Sequence, residues 1–147
     1  MKSDFHLRAA TIADTSLIAA IDQACEAPQD AHRAALVPEL LKFGMSWIAE
    51  ADGAPAGYAI VSRRFFSRRF VELLAVAPAF RRHGLGAALM DRCRAAGDAE
   101  ILFTTTNQSN GPMRALLAKA GYEASGVIYN LDPGDPELVF VKVTPPA

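Results

Sequence analysis

The sequence predicts a single α/β domain over residues 1–147. Three observations carry that class. Apolar residues switch between alternating and helical spacing along the chain, so strands and helices interleave. Within residues 71–97 an apolar strand runs into a short basic loop with two glycines, and that loop opens a helix. The chain is 147 residues long and 51% hydrophobic, the right size for one two-layer core.

The elements follow in order. Phe5–Ala10 reads as a first strand, with Leu7 and Ala9 alternating with His6 and Arg8. Thr11-Ile-Ala-Asp14 begins a helix carrying Ile18, Ile21 and Cys25 at helical spacing. Ala27-Pro-Gln-Asp30 is a break. A second helix spans Ala31 to Phe43, with Leu36, Leu40 and Phe43 on one face, and Gly44 ends it. Ser46–Ala51 is a strand, Asp52-Gly53 a hairpin turn and Gly57–Arg64 its partner. A second hairpin leads from Phe65 into the strand Phe70–Val76. Beyond the glycine loop and its helix come the β-branched strand Ile101–Thr106, the segment Asn107-Gln-Ser-Asn110 and the helix Pro112–Ala120. Glu123–Asn130, the turn Asp132-Pro-Gly-Asp-Pro136 and the strand Leu138–Val143 complete the chain. There is no internal repeat and no low-complexity segment.

The strand–loop–helix unit is built to hold a phosphate. Gly84 and Gly86 let the backbone turn tightly and approach a ligand. The helix that follows offers unpaired N–H groups and the positive end of its dipole. Arg81, Arg82 and His83 add side-chain donors, which suits a di- or polyphosphate. The dinucleotide fingerprint would need a third glycine at position 89, which is Leu89. The Gly-Lys-Ser/Thr ending of an NTPase phosphate loop is also missing.

What remains is Arg81-x-x-Gly84-x-Gly86 preceded by Leu74-Ala75-Val76-x-Pro78. This resembles motif A of the GNAT superfamily, the acyl-CoA-dependent N-acyltransferases. The downstream order of strand, Asn110, helix and Gly121-Tyr122 is similar to that family as well. The likeness is specific over residues 71–122 and generic before them. It implies a mixed, mostly antiparallel twisted sheet flanked by about four helices and splayed between its two central strands. It also implies that acetyl-CoA is the cosubstrate, with no metal. The backbone of Leu74, Ala75 and Val76 would hold the pantetheine arm. Arg81, Arg82, His83, Gly84, Leu85, Gly86 and Ala87 would wrap the pyrophosphate. Asn107, Asn110 and Met113 would line the arm from the other side. For Asn110 a second reading stands beside this one: it precedes Gly111-Pro112, where an Asn caps a helix. Gly121 reads as a left-handed residue after the helix, and Tyr122 as core.

Acetyl transfer to an amine needs a proton acceptor and donors for the tetrahedral oxyanion. The resemblance assigns the oxyanion donor to the backbone N–H of Leu74 or Val76, at a bulge in their strand. Glu72 is the acid of that strand, and alternation places it on the face of Leu74 and Val76. It reads either as a base or amine anchor, or as an exposed strand residue paired across the sheet with an Arg such as Arg63 or Arg64. Many GNAT enzymes carry a Tyr four residues before the Gly that ends the later helix, where it protonates the CoA thiolate. Here that position is Leu117, which leaves the acid open. Tyr58 and Tyr129 are substitutes, or else core and pocket wall. Arg63, Arg64, Arg68 and Arg69 read as a solvated turn or as an attractor of acidic groups. Asp132, Asp135 and Glu137 read as turn chemistry or as the border of a cationic acceptor's pocket.

Composition excludes other classes. A net charge of −1 argues against bulk nucleic-acid binding. There is no apolar run of membrane-spanning length and no signal-like N-terminus, so a cytoplasmic setting is expected. Cys25 and Cys93 lack metal-ligand spacing and read as free thiols, with Cys93 a packing residue. The expected activity is direct acetyl transfer in a ternary complex to an amine, a small molecule in preference to a protein. An acyl-CoA-binding sensor with little catalysis is the alternative, and homodimerisation stays open.

Overall fold

The computed structural model describes residues 4–27, 31–96 and 101–145. The strands are β1 (Phe5–Ala9), β2 (Met45–Ala51), β3 (Ala54–Phe65), β4 (Arg68–Val76), β5 (Ile101–Asn107), β6 (Glu123–Ile128) and β7 (Glu137–Val143). The helices are α1 (Thr15–Ala24), α2 (Ala31–Phe43), α3 (Leu85–Ala95) and α4 (Gly111–Lys119). The predicted break at Ala27–Asp30 falls partly outside the described residues.

The element order matches the sequence reading, with ends moved by a few residues. The first helix opens as a 3-10 turn over Ile12–Asp14, because Thr11 and Asp14 form a reciprocal capping box before α1 starts. β3 begins at Ala54 because the turn needs only Asp52 (φ 52°) and Gly53 (φ 75°). β6 stops at Ile128, two residues short of the predicted end, because Asn130 turns left-handed (φ 71°).

All seven strands form one sheet in the order β1-β2-β3-β4-β5-β7-β6. Every neighbouring pair is antiparallel except β4 and β5. That parallel pair is joined only at Arg69–Leu102, Phe70–Phe103 and Val71–Thr104. Beyond it β4 stays with β3 up to Val76, and β5 stays with β7 up to Asn107. The two central strands therefore part, and a cleft opens whose apex lies at Glu72 and Thr105.

Each face of the sheet has its own core. α1 and α2 bury Ile18, Ile21, Val37 and Leu40 against Ile48, Tyr58 and Ile60. α3 and α4 bury Leu85, Leu89, Met90, Cys93 and Leu117 against Ala59, Val61, Val71 and Leu102. Each such fully buried Leu or Ile contributes roughly 1.5–3 kcal/mol of transfer energy, so the two helix layers hold the cleft walls in place. Gly121 (φ 85°) closes α4, with the Tyr122 N–H returning to Leu117 O at 2.9 Å. Tyr122 is buried in the α3–α4 core as expected.

β4 carries one irregularity with consequences. Val71 pairs with Val61 and Leu73 with Ile60, so Glu72 is an extra residue opposite no partner. The bulge lies at Glu72, before the Leu74–Val76 segment where it was expected. It also reverses the alternation. Val71, Leu74 and Val76 face α3 and α4, whereas Leu73 and Ala75 face α1 and α2. Glu72 bonds to Ser62, which lies on the α1–α2 side with Tyr58 and Ile60. Glu72 is thus on the opposite face from Leu74 and Val76, contrary to the sequence expectation.

Candidate active site

At one end of the cleft stands the loop Arg81–Gly84, exposed throughout. Arg82 (φ 67°) and Gly84 (φ 81°) both take left-handed backbone there. Gly84 occupies the cap position of α3 without any side-chain cap, and the first helical bond runs from Ala88 N to Gly84 O at 3.0 Å. The N–H groups of Leu85, Gly86 and Ala87 precede that bond and are left to a ligand. A Cβ on Gly84 would meet nothing within 4 Å, so the space in front of the helix is open. The residues present fit a pyrophosphate. Gly86 has a different reason to be glycine: a Cβ would come within 2.7 Å of Leu116 Cδ1 on α4. It lets the start of α3 pack on α4.

The loop is tied back to β4. Arg81 Nε donates to Val76 O at 3.0 Å, and the Cys25 thiol donates to the same oxygen at 3.4 Å. The Ala77 N–H goes to Ala56 O at 2.7 Å, on the β3 side. Alternation then turns the N–H groups of Leu74 and Val76 away from β3, toward the cleft. With β5 departed, these donors have no strand partner there among the described residues.

The opposite wall is the β5–α4 connection. Asn110 Oδ1 accepts from Met113 N at 3.2 Å, so the side chain does cap α4. Its Nδ2 makes no hydrogen bond among the described residues. Met113 is half-buried against the α3–α4 core. Asn107 Nδ2 donates to Asp132 Oδ2 at 2.9 Å, and Ser109 Oγ donates to Asp135 Oδ2 at 2.6 Å. These bonds fasten the β6–β7 turn over the cleft wall. Asp132 and Asp135 are thus clamps of this wall as well as turn residues. Asn107 spends its amide donor on that clamp.

At the apex, Ser62 Oγ donates to Glu72 Oε1 at 2.6 Å and Arg64 Nε donates to the same oxygen at 2.9 Å. The expected cross-sheet pairing with Arg64 is therefore present. The Glu72 side chain is only 10% exposed, so it is paired as expected but is not an exposed strand residue: Ser62 and Arg64 cover it. Its Oε2 makes no hydrogen bond among the described residues, which leaves one oxygen for a further donor.

The positions weighed as proton donors separate clearly. Leu117 is fully buried in the α3–α4 core. Tyr58 is also fully buried; its hydroxyl donates to Asp22 Oδ1 at 2.6 Å and accepts from Arg33 at 2.9 Å. Burial, then the bond to Asp22, pushes that phenol far above its ordinary range. Tyr129 is 68% exposed on the β6–β7 turn, so it is not core. Arg63, Arg64 and Arg68 are exposed, but Arg69 is buried and does not belong to a solvated turn.

The buried Asp22–Arg33–Tyr58 network escaped the sequence reading. Arg33 grips both Asp22 oxygens at 2.9 Å, joining α2 to α1 and, through Tyr58, to β3. A signal existed: Asp22 follows Ile18 by four residues, so it falls on the apolar face of α1. Cys93 is fully buried, and desolvation pushes its thiol up to about 12. No group of three or more His, Cys, Asp or Glu among the described residues is placed to hold a metal ion. No described helix is long and apolar enough to cross a membrane.

Comparison with known proteins agrees with this geometry. A GNAT-family acetyltransferase structure from Bacillus cereus ATCC 10987 superposes with a TM-score of 0.86 at 26% identity, over 97% of this chain and 99% of that one. The ribosomal-protein-S18-alanine N-acetyltransferase of Escherichia coli shares the fold at 19% identity, with a TM-score of 0.81 over 98% and 96% of the two chains. A Bacillus anthracis str. Ames structure in complex with acetyl coenzyme A shares it at 14% identity, with a TM-score of 0.63 over 69% and 63%. Mycothiol acetyltransferase of Thermobifida fusca (strain YX) is 40% identical over 58 residues, which are 40% of this chain and 18% of that relative. The model of the acetyltransferase (GNAT) family matches residues 15–122, and this chain belongs to that family.

Proposed function

We propose that the protein is an acetyl-CoA-dependent N-acetyltransferase that transfers the acetyl group directly to an amine in a ternary complex. The observation that carries this reading is the parting of β4 and β5, with β4 running on into the loop that opens the uncapped start of α3. A long thioester substrate with a pyrophosphate at one end suits that path. Its pyrophosphate lies on the N–H groups of Leu85, Gly86 and Ala87, with Arg81, Arg82 and His83 beside them. Its arm runs along Leu74, Ala75 and Val76, faced by Met113 and the free amide nitrogen of Asn110.

Glu72 takes the ammonium of the acceptor on Oε2, removes one proton directly or through water, and so frees the nitrogen lone pair. As the nitrogen bonds to the acetyl carbon, the N–H of Leu74 or Val76 holds the developing oxyanion. The carbon–sulfur bond then breaks, and the second nitrogen proton passes through water to the departing thiolate. Water fills this role because Leu117 has no proton to give. Tyr129, an exposed phenol on the β6–β7 turn, can assist it. No activated Cys serves a covalent route: Cys93 is buried with a raised pKa, and Cys25 is bonded to Val76 O.

Release of free CoA thiol from acetyl-CoA, dependent on an added primary amine, tests the reading. Tight acetyl-CoA binding with no thiol release on a broad amine panel would instead favour a CoA-binding sensor. Leu117 is the residue that keeps that second reading open.

A further inference from the structure

Three phenylalanines are packed on one another outside both helix-covered cores. Phe65 stacks on Phe70 at 4.9 Å with the planes 14° apart, and lies 5.1 Å from Phe103 at 45°. None of the three belongs to either buried cluster, and each keeps part of its surface in solvent. They share one side of the sheet. Alternation along β4 puts Arg68, Phe70 and Glu72 on the face away from α3 and α4. Phe103 stands beside Phe70 on the parallel rung, and a register shift between Ser62 and Phe65 turns Phe65 to the same side. The rings therefore form a shelf on the Glu72 side of the sheet, with Phe70 two residues before Glu72 on β4 and Phe103 one rung short of the point where β4 and β5 part.

We propose that the acceptor is a primary amine with an aryl group two or three bonds from its nitrogen, the ring lying on the Phe65–Phe70–Phe103 shelf. This rests on the transferase reading above. Phe70 and Glu72 are two residues apart on one strand face, about 7 Å along it, and Phe103 lies about 4.8 Å to the side. An ammonium on Glu72 Oε2 thus leaves a short spacer to reach over the rings. Aromatic rings on such a shelf take offset or edge contacts. The charges around it select in the same direction. Arg63, Arg64 and Arg68 are exposed at this hairpin, so a second cation on the acceptor would meet repulsion where an aryl face would meet guanidinium groups. At the inner end Glu72 gives Oε1 to Ser62 and Arg64 and keeps Oε2, which offers room for one ammonium.

The test is thiol release from acetyl-CoA by the full chain with 2-phenylethylamine, butylamine, spermidine and a peptide beginning with Phe. The expected kcat/KM for 2-phenylethylamine exceeds that for butylamine by roughly tenfold, with spermidine lowest. In Phe103→Ala this preference falls roughly fivefold while acetyl-CoA still raises the melting temperature, and Phe103→Leu falls between. Turnover of the free amine alone assigns the ring to a small molecule; equal turnover of the peptide assigns it to a polypeptide N-terminus. Butylamine or spermidine matching 2-phenylethylamine overturns the shelf and leaves the transferase reading standing. If no amine turns over, that reading fails, and calorimetry with 2-phenylethylamine and CoA decides the shelf separately. Binding lost in Phe103→Ala supports it; no binding to the unmodified chain overturns it.

Discussion

Gly84→Asp separates the loop's ligand role from its structural one. Gly84 sits at φ 81°, and a Cβ added there would have nothing within 4 Å, so the change meets strain and no clash. A left-handed residue other than glycine costs about 1–2 kcal/mol, and Asp tolerates that region better than most. A carboxylate at the start of α3 recovers about 0.3–1 kcal/mol from the helix dipole. The unliganded variant should therefore lose about 1 kcal/mol, or roughly 2–4 °C in melting temperature for a chain of this size. Acetyl-CoA at a hundredfold its Kd should stabilise the unmodified protein by about 2.7 kcal/mol, which corresponds to roughly 5–11 °C. In the variant a negative charge meets the pyrophosphate, and this increment should vanish. Gly84→Asn, which carries the same bulk without the charge, should keep part of it. Differential scanning fluorimetry with and without acetyl-CoA reads all three proteins. A folded Gly84→Asp protein with the full ligand-induced shift would refute the placement of the pyrophosphate.

Other outcomes are equally specific. Glu72→Gln should lower kcat by roughly 10²-fold with little change in the KM for acetyl-CoA; a change in the amine KM alone would reduce Glu72 to an anchor. Leu117→Tyr should cost about 1–3 kcal/mol in chemical denaturation, because the site is fully buried and overpacks; a stable variant with raised kcat would show that the hydroxyl reaches the cleft after all. Mass spectrometry after alkylation near pH 8 should find one modified thiol in the native protein and two in denaturant, since Cys93 is buried with its pKa pushed up to about 12. The Arg8 guanidinium, then the Thr11 N–H, holds the Asp14 carboxyl below the usual carboxylate range. A lowered folded-state pKa gives stability that is present above the unfolded value and lost as pH falls through the folded one. Asp14→Asn should thus be less stable than the parent at neutral pH, by up to about 1 kcal/mol from the lost ion pair with Arg8, and the gap should close in acid.

The phosphate loop is legible in one dimension because its chemistry is local. Arg81, Gly84 and Gly86 fall within one turn of chain, and the strand before them and the helix after them are encoded by their own periodicities. Element order, the Asp52-Gly53 turn, the Asn110 cap and the left-handed Gly121 are local for the same reason. The side of the sheet that Glu72 occupies is different. It depends on one extra residue in the pairing of β4 with β3, and register belongs to two strands together, so alternation along β4 alone puts Glu72 on the wrong face. The burial of Leu117, the Asp22–Arg33–Tyr58 network and the clamp of Asp132 and Asp135 on Asn107 and Ser109 join residues far apart in the chain. Gly86 combines both levels: the motif demands glycine by spacing, and only packing against Leu116 shows which contact requires it. Short-range conformational preference wrote the glycine loop and its helix into the sequence, whereas long-range packing and register decided where Glu72 stands at the cleft apex and which rings gather on its side of the sheet.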